Sequence, residues 1–257
     1  MDTASRPKTR RRPRPESHAE HSFAARAVAL GGTVILCAAC VLCARWGFSE
    51  IILSEAITRH EALAERSMRT GEAALTREIR EINEALVLAQ RIDPGNPTTA
   101  ESRGSLHLLN VRESEDGYAT GGQQAIALEQ FALALALRPG SPYTWANLAR
   151  TKYNLGLVDA QFHQSMRNAI LLGPWEPEVQ FAVVDMGLAL WDELPSDLRP
   201  KVLAMAQNGQ RRYAKEIVAI AERRRRLSDI CKFEKLAPMP ACKAESAKSR
   251  DSAIPKD

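Results

Sequence analysis

The chain has 257 residues, 45% apolar and 26% charged, with 14 Gly and 14 Pro. That composition excludes collagen-like, disulfide-dense and wholly disordered classes, and leaves room for one domain of about 150–200 residues once the ends are set aside. Only 5% of residues are aromatic, and Ala and Leu crowd the middle, which favours helices packed through small residues over a β-sandwich. The net charge of +4 is uneven. Residues 1–45 hold eight Lys/Arg against three acids, and the remainder holds 27 against 28. The bulk of the chain therefore has no excess positive charge with which to hold a phosphate backbone, which argues against nucleic acid as a partner.

Residues 1–26 read as a disordered basic tail, rich in Arg and Pro. Next comes AVALGGTVILCAACVLCA, eighteen residues without a charge. At about 1.5 Å per residue it spans roughly 27 Å, close to the hydrocarbon thickness of a bilayer. Arg26 and Arg45 bracket it, and Trp46 and Phe48 suit the far interface. Residues 27–46 are thus predicted to be a transmembrane anchor. The basic cluster before it predicts a cytoplasmic N-terminus with everything after Arg45 exported. A cleaved signal peptide, a lipoprotein using Cys40 and a buried soluble helix are the alternative readings. Cys37, Cys40 and Cys43 superficially resemble an iron–sulfur run but lack its fourth Cys and trailing Pro, and read as small residues of a membrane helix.

Residues 47–70 are charged and helix-forming, and are expected to form a stalk continuing the anchor. Over 71–230 the spacing predicts a helical repeat domain. Leu75, Ile79, Ile82, Leu86 and Ala89 make one amphipathic stripe that stops at Asp93-Pro94-Gly95-Asn96-Pro97. Apolar helices end again before Pro139 and Pro174, intervals of 45 and 35 residues. A period near 34 with helices ending in x-Pro is the tetratricopeptide signature. The best unit begins at Pro142: with that residue as position 1, Trp145, Asn147, Leu148, Ala149, Tyr153 and Gly156 fall on the repeat's expected positions, Gly156 supplying the turn. The preceding unit carries an inserted polar loop, ESEDGYATGG. After Pro174 the pattern decays into capping helices. The fold class expected is all-α, a single N-terminal transmembrane helix followed by a tetratricopeptide-like α-solenoid.

Residues 231–257 are predicted to be a largely disordered tail containing two cysteines. In an oxidising compartment Cys231 and Cys242 would close readily into a disulfide worth roughly 2–3 kcal/mol. In a reducing one they would be two free thiols.

Motifs that carry chemistry are missing from the reading. The five histidines (His18, His21, His60, His107, His163) are scattered, GYATGGQQ lacks the Lys-Ser/Thr of a phosphate loop, and no nucleophile elbow or dinucleotide fingerprint occurs. His163 reads as packed or exposed, Asp192-Glu193 as solvated surface, and Arg223–Arg226 as the solvated end of an amphipathic helix. The expectation is a protein that is not an enzyme, with no catalytic residue, metal site or cofactor. What remains is the concave face of the repeats. Tyr143, Ala146, Asn147, Arg150, Tyr153 and Asn154 are predicted to face that groove. There Asn147 could fix a ligand backbone through its paired donor and acceptor, and Arg150 could engage a carboxylate.

The stretch ALRPGSPYTWANLARTKYNLG, the following LGPWEPEVQFAVVDMGLALW and the terminal CKFEKLAPMPAC, behind a basic tail and one anchor, resemble the VpsP-type polysaccharide biosynthesis proteins of bacterial exopolysaccharide systems. The P-x-x-W-A-x-L-A stretch is also similar to the repeat tails of O-antigen ligase-like proteins. The resemblance spans about residues 70–242 and implies a role in making or exporting a surface polysaccharide. It implies a bacterial inner-membrane protein with a periplasmic repeat domain, partnered by a polysaccharide polymerase, ligase or export complex. It carries over no catalytic residue. Two other readings stay open: a periplasmic accessory of another envelope-assembly system, such as cytochrome maturation or cell-wall synthesis, and an enzyme acting directly on glycan.

Overall fold

The computed structural model describes residues 17–70, 76–113, 117–233 and 236–252, and among these every regular element is a helix. Eleven helices follow one another: α1 (Ser17–Thr70), α2 (Thr76–Ile92), α3 (Pro97–Glu113), α4 (Gly117–Leu137), α5 (Pro142–Asn154), α6 (Ala160–Leu172), α7 (Pro177–Ala189), α8 (Leu198–Gly209), α9 (Ala214–Arg223), α10 (Leu227–Ile230) and α11 (Pro240–Ser252). Two compact units divide the chain, Met1–Phe48 and Ser49–Asp257.

In the first unit, α1 carries a run of exposed apolar side chains that includes Val28, Val34, Ile35 and Val41. Its most apolar window has a mean hydropathy of 2.1, and none of it is buried. This helix is long and apolar enough to cross a membrane. It already runs from Ser17, so residues 17–26 are helical where the sequence suggests disorder. An apolar helix once nucleated extends cheaply into an Ala-containing flank. Residues 1–16 lie outside the described residues.

The second unit corrects the stalk expected over 47–70. From Ser49 onward α1 is a core helix: Leu53, Ala56 and Leu63 are buried with Ile79, Ile82, Leu86 and Ala89 of α2 and Leu106 and Leu109 of α3. The α2 stripe is thus spent on burying α1 and α3, while Leu75 lies outside the described residues. The Ser49 hydroxyl donates to the Ala89 carbonyl at 3.1 Å, and Arg59 pairs with Glu81 at 3.0 Å. Charged residues of this stretch occupy the helix face that Leu53, Ala56 and Leu63 leave free.

From α3 on, helices pack as consecutive pairs, α3 on α4, α5 on α6 and α7 on α8, and the first helices of successive pairs also meet, α5 on α7 and α7 on α9. Glycines set the closest approaches. A Cβ at Gly104 of α3 would fall 2.7 Å from the ring of buried Phe131 on α4, and one at Gly187 of α7 would fall 2.5 Å from Val202 of α8. Helix α4 begins at Gly117, so most of the predicted polar loop ESEDGYATGG is helical backbone; residues 114–116 are outside the described residues.

The α5–α6 pair has well-defined ends. Ser141 caps α5, its hydroxyl accepting from the Thr144 amide, and Pro142 occupies the first turn. Gly156 turns the chain with φ of +71°, a conformation costly for any residue with a Cβ. Asp159 caps α6 by accepting from the Phe162 amide at 2.8 Å, and also pairs with buried Lys152 at 2.8 Å. At the far end Gly173 lies against Pro142, where a Cβ would be 2.7 Å from that ring.

The predicted disordered tail also differs. Residues 240–252 form α11, started by Pro240 and continued by Ala, Lys and Glu, all good helix formers. Cys231 and Cys242 are joined, their Cα atoms 5.3 Å apart, and Cys242 is fully buried in the core cluster that α5 to α9 share.

Candidate functional site

The first helix of one pair and the first helix of the next make a groove. Its volume is about 170 Å³, and α5 contributes Tyr143, Ala146, Asn147 and Arg150, which share one helical face. The opposite wall comes from α7, through Glu178, Val179 and Phe181. The Tyr143 hydroxyl donates to the Glu176 carboxylate in the turn leading into α7. That bond to Glu176, more than burial, pushes the Tyr143 phenol up to about 12, so it remains a donor throughout the neutral range.

Of the six residues predicted for the groove, four come together and two do not. Tyr153 instead packs against the core, its ring 5.8 Å from the Arg224 guanidinium carbon. Asn154 is exposed at the end of α5. The reason is position along the helix: both share that face but lie a turn beyond Arg150, past the end of the groove, where Tyr153 meets Arg224. Missing from the prediction are Glu178, Val179 and Phe181. The signal for them was the helix after Pro174, whose first turn supplies the facing wall of any such pair.

One other sequence reading changes. Arg223–Arg226 is no solvated helix end. Arg224 and Arg223 both bind Asp185 of α7, and Arg226 binds Asp192. Burial pushes the Asp185 carboxyl up, but hydrogen bonds from Arg224 and Arg223 outweigh it and hold it below the ordinary range. Asp192 remains 81% exposed, the solvated surface expected of it, with Arg226 as its partner. Arg225 turns the chain with φ of +56°. His163 is half-buried with its ring edge-on to Phe162.

A second opening lies beside the first, reached through Phe181, whose ring meets Tyr213 edge-to-face at 5.4 Å. It measures about 430 Å³ and is formed by the α6–α7 turn, the start of α7 and the α8–α9 turn. Among the described residues no group of His, Cys, Asp and Glu is arranged to hold a metal ion.

Buried polar groups concentrate elsewhere, between α2, α3 and α4. Arg103 donates to Gln90 and Gln130, and His107 meets Gln123. Arg103 Nε and His107 Nε2 are buried without a hydrogen-bond partner. Burial pulls both groups below their ordinary pKa values; for His107 the Gln123 hydrogen bond opposes that and the Arg103 charge adds to it.

Comparison with known proteins gives no match at any of three levels: no family model, no curated relative and no solved structure is significantly similar to the chain.

Proposed function

We propose that this chain is a non-catalytic, membrane-anchored adaptor in bacterial exopolysaccharide biosynthesis or export, and that its helix pairs form a tetratricopeptide-like solenoid standing in the periplasm. The observation that carries the reading is the α5–α7 groove. It is built from the first helices of successive pairs, as in modules that bind extended segments, and it offers Asn147 and Arg150 on one wall and Glu178 on the other. The apolar stretch of α1 supports single-pass anchoring in the inner membrane with residues 27–46 in the bilayer and the N-terminus in the cytoplasm. Polymerase, ligase or export proteins are the partners, an assignment that rests on the family resemblance and not on the groove's chemistry.

Deleting the reading frame, complementing it in trans and quantifying secreted polysaccharide with its lipid-linked precursors tests the role. Lost polymer with accumulating precursor is the expected result, and normal polymer overturns it. A chromosomal Asn147→Ala, Arg150→Gln double variant that is normally helical and normally abundant is expected to reproduce part of the loss. Reporter fusions after Leu53 test the topology: activity of a cytoplasmic reporter there contradicts it.

A further inference from the structure

The larger cleft between the α6–α7 and α8–α9 turns has a chemistry of its own. Trp175, between Pro174 and Pro177, is 62% exposed and lines the cleft. Arg211 sets its guanidinium carbon 6.0 Å from the indole centroid. Arg211 and its neighbour Arg212 both line the cleft, and neither has a carboxylate partner among the described residues. By contrast Arg167, Arg223, Arg224 and Arg226 are each held by an aspartate. The one carboxylate lining the cleft, that of Glu176, takes the Tyr143 hydroxyl instead.

One amide completes the set. Asn208 Nδ2 donates to the Pro174 carbonyl at 3.3 Å, as does Nε2 of the buried Gln180 at 2.9 Å. Half-buried Asn208 is thereby fixed with its amide oxygen left as an acceptor. The cleft therefore combines a flat apolar platform, two cationic forks suited to a carboxylate, and an amide acceptor suited to a hydroxyl group. A volume near 430 Å³ falls within the range of small-ligand sites.

We propose that this cleft binds the carboxylate-bearing sugar ring of an acidic glycan. A pyranose uronate presents all three complements on one rigid ring: a C–H face for Trp175, a carboxylate for Arg211 and Arg212, and a hydroxyl donor for Asn208. A glutamate side chain has the carboxylate but no ring face to cover the indole, and a neutral sugar has the face but no charge. The site is separate from the α5–α7 groove and stands whether or not the adaptor reading holds.

The test uses the full chain in nanodiscs and calorimetric titration with tetramers of galacturonate, mannuronate and glucuronate, with a neutral glucose tetramer and tetraglutamate beside them. At least one uronate tetramer is expected to bind, weakening as salt rises, with the glucose tetramer and tetraglutamate each at least about tenfold weaker. Trp175→Ala and the Arg211→Gln, Arg212→Gln pair are each expected to lose about tenfold or more in affinity with unchanged helicity, while Trp175→Phe keeps most of it. The Asn147→Ala, Arg150→Gln variant is expected to bind as the parent does, which separates this site from the groove. Absence of binding by all three uronates, or binding undiminished in the cleft variants, overturns the proposal. Tetraglutamate binding as tightly as the uronates overturns it in favour of an acidic peptide.

Discussion

Arg224 holds Asp185 with two guanidinium nitrogens, Nε at 2.9 Å from one carboxylate oxygen and Nη2 at 2.6 Å from the other. The bond crosses from the loop after α9 to the middle of α7, and the same guanidinium lies over the Tyr153 ring of α5. One side chain therefore ties three first helices together. Asp185 and Arg224 are only 27% and 26% exposed, so solvent screens the pair less than a surface bridge.

Replacing Asp185 by Asn leaves Arg224 and Arg223 without their carboxylate. The expected cost is about 1–3 kcal/mol, read as a lower urea midpoint at unchanged slope. The effect is also acid-sensitive. A carboxyl held below its ordinary value of 3.8 contributes stability fully above that value, and loses it as pH falls through the lowered folded value. A stability difference between parent and variant that shrinks on acidification below about pH 4 is the expected signature.

His107 titrates in a different window with the same sign. Burial keeps it neutral below its ordinary value of 6.5, so the unfolded chain takes up a proton that the folded chain refuses. Stability is fully present above pH 6.5 and falls as pH drops below it through the lowered folded value. His107→Gln is expected to flatten that part of the profile, measured as Tm against pH.

Gly187 and Val202 make a packing test. In an exposed helix Gly→Ala gains up to about 1 kcal/mol, but here the new methyl would sit 2.5 Å from a Val202 methyl. Gly187→Ala is therefore expected to destabilise by about 1–3 kcal/mol. Combined with Val202→Ala, which opens the space the methyl needs, the loss is expected to be smaller than the sum of the two single changes.

Reducing the Cys231–Cys242 bridge removes a constraint across 11 residues, worth about 2–3 kcal/mol on the chain-entropy estimate. Amide exchange should quicken first over 240–252, since among the described residues α11 packs on α9 and α10, with α5 to α7 little affected.

The parts of this fold legible in the sequence are those whose causes are local. The α5–α6 pair announces itself through Pro142 and Gly156, which start and turn it within 20 residues of one another. The core role of α1 beyond Ser49 was hidden, because its apolar positions Leu53, Ala56 and Leu63 are sparse among charges and their partners lie on α2 and α3. Half of the groove was readable for the same reason: the spacing of Tyr143, Asn147 and Arg150 defines a face, whereas Glu178 and Phe181 become its opposite wall only when α7 packs on α5. The second cleft left no periodic trace, since Trp175, Asn208 and Arg211 sit in or beside turns.

The contact between Gly173 and Pro142 has a consequence for how such a chain grows. The helix pair leaves within van der Waals distance of where it entered, so its two ends form a seam rather than a span. A tandem copy of the segment can be spliced in at that seam with its own entry and exit already matched, presenting α7 with the same surface it now meets. Lengthening by duplication then asks for no new connecting geometry, and each added copy brings another face bearing the Tyr143, Asn147 and Arg150 pattern.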